Sequence, residues 1–469
     1  MIRRDFLTLG VASLASAAAP TTGALGGPSA AVALAPVTAR TADEVCQSYM
    51  VNTKLFYKDT VYGHTDAVLD LLDDLGVRIV RERVTTGTSI GTRNQQRAMI
   101  ELARRGVRWH ATVGELEDYV DANAVNRNVM HHFATYYKPR VGGNLANLLH
   151  SFGGCNEIDG PVFNGHNDPE WALHARIMQR ALWAAAKADP ATRNIPVAGP
   201  STRTDVTVQR AAELGDLSAY CDMGNGHLYN RGTSPTRYLD EHLAVLRRCF
   251  PDVTRWVMSE SGYNNSQADN LGKTVPEAAS ATYAIRAICD FFRRRAVWGR
   301  FELLDDPDAV DYSSQAAINR TSERDAHFGL VAMTRTTTGA ATPDTWRKKP
   351  EYYATKRFLA LMADQGPAFR PDPFPIEVSG GGQDLQRAFV QKRDGRHYLL
   401  LWRDVEVARV YPYGDRISVR EQDLTVRLGV ARPIAVHSPR WSDSPVRRYS
   451  ARTSVRVPVA GDLTVVEIG

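Results

Sequence analysis

Between residues 48 and 362 the chain alternates a short apolar run with a longer segment of helical period, eight times over. Strands separated by a helix-length crossover can pair only in parallel, and eight such units are what close a (β/α)8 barrel. The spacing predicts strands at 48–52, 78–82, 107–113, 145–153, 196–200, 220–229, 255–259 and 297–304. Helices are expected at 65–75, 94–104, 124–137, 171–188, 208–214, 238–250, from Pro276-Glu277 to the arginines 293–295, and at 350–362. Gly76 and Gly106 stand where helices end, and Pro139, Pro190 and Pro251 lie just beyond three others, as helix-terminating residues should.

After Pro371-Asp372-Pro373-Phe374-Pro375 the texture changes. Residues 388–390, a turn at Arg393-Asp394-Gly395 and residues 398–402 read as a hairpin. Further strand patterns at 417–419, 424–428, 434–436, 454–457 and 463–468 follow with no helix among them. The expected architecture is therefore a (β/α)8 barrel over 41–370 followed by a small antiparallel β-sandwich over 371–469, packed on the barrel's flank.

Residues 1–40 read as an export signal and linker. Arg3-Arg4-Asp5-Phe6-Leu7 leads into an apolar small-residue stretch, Thr8 to Ala19, too short to span a bilayer. The paired arginines resemble a bacterial twin-arginine signal, so the expected location is periplasmic, cell-envelope or secreted. Ala33-Leu34-Ala35 is one small-x-small cleavage option, disfavoured by Pro36 behind it. No other apolar run is long enough for a membrane helix, so no span is expected in the mature protein.

A net charge of +5 over 469 residues, with basic blocks only at Arg293-Arg294-Arg295 and Arg347-Lys348-Lys349, argues against a nucleic-acid partner. The first block ends a predicted helix, where cations complement the dipole. The five cysteines, Cys46, Cys155, Cys221, Cys249 and Cys289, are odd in number and show no Cys-x-x-Cys spacing, so neither a full set of disulfides nor a zinc site is expected. His131-His132 are adjacent on a helix and cannot share a face. No His-x-His ends the first strand, and no phosphate loop or Gly-x-Ser-x-Gly signature stands out, so no metal or cofactor is expected. Oligomeric state is not legible.

Two segments carry the chemistry. Gly153-Gly154-Cys155-Asn156-Glu157 and Trp256-Val257-Met258-Ser259-Glu260 each place one carboxylate after a buried-looking strand and before a stretch rich in Gly and Asn. They end predicted strands four and seven, and the C-terminal strand ends are where barrels of this kind build their sites. Their separation of 260 − 157 = 103 residues leaves room for about three strand–helix units. Two carboxyl groups converging on one pocket are the minimum equipment for cleaving a glycosidic bond.

Asn156-Glu157, Glu260 and the His227-x-Tyr229 pair on strand six together resemble the retaining glycoside hydrolases of clan A. The segments Phe301-Glu302-Leu303-Leu304-Asp305-Asp306, His327-Phe328-Gly329-Leu330 and Lys349-Pro350-Glu351-Tyr352-Tyr353-Ala354 look closest to family 39 and its family 5 relatives, and the resemblance covers roughly residues 46 to 469. It implies Glu157 as general acid/base, Glu260 as nucleophile and a carbohydrate substrate. It further implies Asn156 as the ligand of the sugar 2-hydroxyl and Arg81 as the arginine that keeps the nucleophile ionised, with an Arg81–Glu82 ion pair as the competing reading. His227 and Tyr229, two apart on one strand face, are placed to hydrogen-bond Glu260. Trp109, Phe163, Tyr263 and Trp298 are candidate sugar platforms, Trp298 the one carried forward as substrate-binding. Where many clan members have a Trp near the end of strand eight, this chain reads Phe301-Glu302, and Glu302 is taken as a ligand for a sugar hydroxyl or an arginine. The loop 158–168, with Asp159, Asn164, His166, Asn167 and Asp168, is polar enough to touch sugar. The alternative function on the same fold is a non-hydrolytic carbohydrate-binding or transglycosylating barrel of the cell envelope.

Overall fold

A computed structural model describes residues 34–160, 168–266, 274–305, 325–333, 342–409 and 415–469. The predicted signal up to residue 33, and Phe163, Asn164, His166, Asn167 and Asp306, lie outside the described residues.

Seven parallel strands, Tyr49–Asn52, Ile79–Arg83, Arg108–Thr112, Leu149–Gly153, Gly224–Leu228, Trp256–Ser261 and Ala296–Arg300, form one sheet in which the first pairs with both the second and the last. The gap between Leu149–Gly153 and Gly224–Leu228 is closed by single bridges, Phe152 to Val197 and Ala198 to Met223. The fifth strand of the barrel is thus reduced to two bridged residues. Pro196 and Pro200 bracket it, and a residue without an N–H cannot extend a ladder. Eight positions around the barrel are filled, as the alternation predicts.

One helix follows each position: Thr65–Leu75, Ile90–Arg104, Ala122–His132, Trp171–Ala188, Val208–Leu214, Leu239–Leu246, Glu277–Arg293 and Pro350–Met362. The first ends on Gly76 in the left-handed conformation (φ 75°) that glycine adopts without a Cβ penalty. The second begins four residues before its predicted start, because Ser89 caps it by accepting a hydrogen bond from Thr92 N at 3.0 Å. The third continues through a π-turn at Phe133–Tyr137.

Side-chain parity divides the barrel wall. Met50, Ile79, Ala198, Met223, Val257 and Val297 point inward and form one apolar layer across the barrel floor. Residues of opposite parity pack outward on the helices. Trp109 lies against Phe133 and Tyr137, and Trp298 against Tyr49 and Phe291.

The C-terminal strands Pro373–Gly380, Leu385–Gln391, His397–Arg403, Gln422–His437, Arg447–Val459 and Thr464–Ile468 make one sheet where a sandwich was expected. Its spine is Gln422–His437, a single strand spanning two predicted ones. The first half of the spine pairs with Pro373–Gly380 and the second with Thr464–Ile468. Register shifts between Arg427 and Ile434 mark the bend between the halves. The predicted strand at 417–419 is irregular, flanked by an isolated bridge between Ala408 and Arg416. Leu399 and Leu401 face this sheet's own core, while Tyr398, Leu400 and Trp402 on the opposite face join the barrel's core.

The sheet also recruits residues from before the barrel. Pro36–Thr38 adds to one end strand and Arg40–Thr41 to the other, so that Ala39 connects the sheet's two edges. Pro36–Thr38 and Arg40, assigned to a linker on sequence, are therefore sheet. All five cysteines are buried free thiols. Among the described residues no helix is long and apolar enough to cross a membrane.

Candidate active site

Glu260 reaches the barrel mouth because strand seven is irregular. With Val257 pointing in, regular alternation would send Ser259 and Ser261 inward and Glu260 out to the helices. The ladder instead skips a residue: Gly226 pairs with Met258, but the next pair is His227 with Glu260. The pairing with strand eight shifts between Met258 and Ser261 as well. This extra residue re-aims the carboxylate. Gly299 on strand eight makes room for it, since a Cβ there would collide with the displaced backbone carbonyls of Met258 (2.7 Å) and Ser259. Asn52 Nδ2 donates to Ser259 O at 3.0 Å and ties the bulge to strand one.

Glu157 follows strand four in the left-handed region, φ 42°, a rare conformation for a residue with a side chain. Its N–H donates to Ser201 Oγ at 3.0 Å, which holds the turn. His227 Nδ1 lies 3.0 Å from Glu157 Oε1 and 3.4 Å from Glu260 Oε2, so one imidazole nitrogen faces both carboxyl groups. One oxygen of each carboxyl group and the His227 nitrogen all lie within 4.8 Å of one another.

Arg81 holds the centre. It donates to Glu260 Oε1 at 2.6 Å, Asn52 Oδ1 at 2.8 Å and Asn156 Oδ1 at 2.5 Å. Its sequence neighbour Glu82 has the opposite parity and is buried, accepting from Leu55 N and Thr53 Oγ1 at 2.8 Å each. Arg83 pairs with Glu115. The competing Arg81–Glu82 ion pair therefore does not form. Tyr229 OH donates to Glu260 Oε2 at 2.8 Å. Burial alone would raise the Glu260 carboxyl, but the His227 imidazole, the Arg81 guanidinium and the Tyr229 hydroxyl outweigh it and hold the group down at about 2.

The cavity above these groups has a volume of about 450 Å³. Phe301 and Phe328 wall one side beside Tyr229, with ring centroids 5.4–6.3 Å apart. Arg203, Asp205 and Arg231 line it as well.

The structure thus brings Glu157, Glu260, Asn156, Arg81, His227 and Tyr229 together. It does not bring Trp298 or Glu302 to the cavity. Trp298 has outward parity and packs in the helix layer, only 1% exposed. Glu302 is fully buried, accepting from Tyr62 OH at 2.8 Å and paired with Lys54 at 3.2 Å. It is Phe301, one residue earlier and of inward parity, that takes the wall position. Trp109 and Tyr263 are core side chains, donating to Glu82 O and Thr233 O. Asp159 accepts from Arg203 N, and Asp168 from Glu170 N and His174, so both acids tie the ends of the loop to neighbouring segments.

Sequence reasoning gave no site role to Asn52, Phe301, Ser201, Arg203, Arg231 or Phe328. Asn52 and Phe301 follow from strand parity, whereas the others sit on loops whose path no periodicity records. Glu157, His227 and Glu260 also satisfy the donor count for a cation. Both oxygens of Glu260 are, however, already engaged by a guanidinium and a hydroxyl donor, an arrangement suited to a carboxylate kept ionised for attack.

The sequence matches no protein-family model and no curated protein. Among solved structures the chain is similar to a monomeric beta-xylosidase from Caulobacter crescentus CB15, at 16% identity and TM-score 0.54, covering 93% of this chain and 97% of that one. It is also similar to the GH39 enzyme from Xanthomonas axonopodis pv. citri, at 15% identity and TM-score 0.54, covering 93% and 95%. A glucosidase from Croceicoccus marinus gives 12% identity and TM-score 0.51, covering 86% and 91%. The likeness is one of fold. The chain shares with these enzymes the fold its motifs suggest, a parallel barrel with an appended β-domain.

Proposed function

We propose that this protein is a retaining glycoside hydrolase with Glu260 as nucleophile and Glu157 as general acid/base. The observation that carries the reading is the approach of the two carboxyl groups to within 4.8 Å. Retaining enzymes hold their carboxyls about 5 Å apart, whereas inverting ones leave roughly 6.5–9.5 Å for a water. In the first step Glu260 bonds to the anomeric carbon, the glycosidic C–O bond breaks, and the Glu157 proton goes to the leaving oxygen. In the second, water attacks the anomeric carbon, Glu157 takes its proton, and Glu260 is released as carboxylate. Arg81 and Tyr229 keep Glu260 ionised and aimed. Asn156 Oδ1 is held by Arg81, which turns its amide N–H groups to the task of binding a sugar hydroxyl. The fold shared with a beta-xylosidase and a glucosidase supports the reading. The twin-arginine-type N-terminus supports export, and so a glycan substrate outside the cytoplasm.

The test is turnover of a panel of aryl glycosides. Glu260→Ala should abolish it, and azide should restore it as a glycosyl azide of inverted configuration. Glu157→Ala should slow substrates with poor leaving groups far more than those with good ones, since only the former need a proton. Near-normal activity in both variants would overturn the assignment.

A further inference from the structure

Beyond the catalytic groups, the cavity wall carries two guanidinium groups that the chemistry above does not use. Arg231 follows strand six two residues after Tyr229, is exposed, and makes no hydrogen bond or ion pair among the described residues. Its backbone is left-handed, φ 50°. Only three described residues other than glycine have positive φ, and two of them, Glu157 and Arg231, line this cavity. Such conformations persist where surrounding structure over-determines them.

That surrounding structure is on the page. Asn230 Nδ2 donates to Ser234 O and Pro235 O, closing the turn on itself. Ser234 N donates to Glu406 Oε2 at 2.9 Å and Ser234 Oγ to Asp404 Oδ1 at 2.5 Å, so the β-domain clamps the loop. Arg286, fully buried, donates to Ser234 Oγ at 3.0 Å from behind.

Arg203 stands on the Glu157 side. Its backbone N–H is held by Asp159, and its Cδ packs against Gly160, whose N–H donates to Glu157 O at 2.9 Å. Its only ion-pair partner among the described residues is Asp205 at 3.7 Å, beyond hydrogen-bond length and largely exposed. The catalytic carboxylate Glu260 has its own cation in Arg81. Arg203 and Arg231 therefore line the cavity with one loosely held counter-charge, Asp205, besides the carboxyl groups of Glu157 and Glu260.

We infer that the leaving-group side of this cavity takes an anionic residue, a sugar or aglycone bearing a carboxylate or sulfate, gripped by Arg203 and Arg231. The assignment of the side rests on Glu157 being the acid that protonates the leaving oxygen. The planar guanidinium fork matches both oxyanions, and such charge-assisted bonds are the strong ones.

The experiment compares aryl glycosides of each turned-over glycone with 3-carboxyphenyl, 3-sulfophenyl and neutral 3-carbamoylphenyl leaving groups. Wild type should show kcat/KM for an anionic leaving group about tenfold above the carbamoyl one, falling as salt is raised. Arg231→Gln and Arg203→Gln should each lower that ratio severalfold, and Asp205→Asn should raise it. Whichever of the carboxy or sulfo compounds shows the larger ratio names the oxyanion. Equal turnover of charged and neutral leaving groups, or a preference surviving both arginine substitutions, overturns the inference while leaving glycosidase activity intact. Silence of every glycone with every leaving group overturns the glycosidase reading, and this inference with it.

Discussion

Arg81→Gln isolates what keeps Glu260, the proposed nucleophile, ionised. The Glu260 carboxyl lies at about 2 against an ordinary 4.5, and 4.5 − 2 = 2.5. At about 1.4 kcal/mol per tenfold, this is roughly 3 kcal/mol in favour of the carboxylate, net of its burial. Arg81 makes the shortest contact to it, 2.6 Å, with both side chains nearly buried. Gln in its place leaves only His227 and Tyr229 to oppose desolvation, so the carboxyl should rise to the ordinary range or above it. The acid limb of kcat/KM reports the free enzyme. That limb should move up by about two pH units, from below pH 3 to between about 4 and 5. Stability follows with a definite sign. The folded value is below the unfolded one, so the ionised group stabilises above about pH 4.5, and that contribution is lost as pH falls through about 2. The variant should lose less stability over that window than wild type. Arg81→Lys keeps the charge but cannot span Glu260 and Asn156 together. It should hold the acid limb low while still depressing kcat. The assay is a pH profile on an aryl glycoside from pH 3 to 8, with melting temperatures over the same range. An acid limb that stays in place in Arg81→Gln would refute the argument.

Two further outcomes follow from the packing around the site and the domain seam. Gly299→Ala puts a methyl group onto the carbonyls that the strand-seven bulge displaces. It should cost about 1–3 kcal/mol in chemical denaturation and, by shifting Glu260, lower kcat at least tenfold. Retained kcat would mean the bulge does not aim the carboxylate. Asp290, buried between the seventh helix and Trp402, has its carboxyl pushed by burial from 3.8 to about 7. The folded state then holds the proton more tightly than the unfolded one, so stability is lost as pH rises from about 4 through about 7. Asp290→Asn should flatten the melting temperature across that window, and an unchanged slope would show that the group does not set it.

The fold was legible where one signal repeats. Helices Thr65–Leu75, Trp171–Ala188, Val208–Leu214 and Pro350–Met362 fall on their predicted ends, because Gly or Pro punctuates them or their apolar period stops sharply. Strand five survives only as bridges because the two prolines that make it look bounded also remove the donors a ladder needs. The C-terminal region reads as short separate strands because a long strand that bends has an interrupted alternation. Its closure by residues 36–41 is a contact over more than three hundred positions in sequence, which no local pattern can register.

At the site, parity explains which of the predicted residues the structure gathers at the cavity and which it does not. Arg81, His227 and Tyr229 sit on regular stretches of inward parity, so counting by two from the barrel floor finds them. Trp298 and Glu302 fail the same count by one residue each, and Phe301 passes it. The aromatic wall of strand eight is therefore supplied by a phenylalanine where a tryptophan was sought, and the acid beside it turns toward Lys54 and Tyr62. Glu260 is the opposite case, since regular alternation from Val257 would exclude it. Its carboxylate arrives at the mouth only through an extra residue in strand seven, and that bulge needs a glycine on the neighbouring strand to exist. A residue at the end of a strand can therefore be recognised by its chemistry while the reason it points the right way lies in a different segment, here Gly299 and Asn52. The position of the Glu260 carboxylate is a property of three strands together, and a substitution in any one of them reaches it.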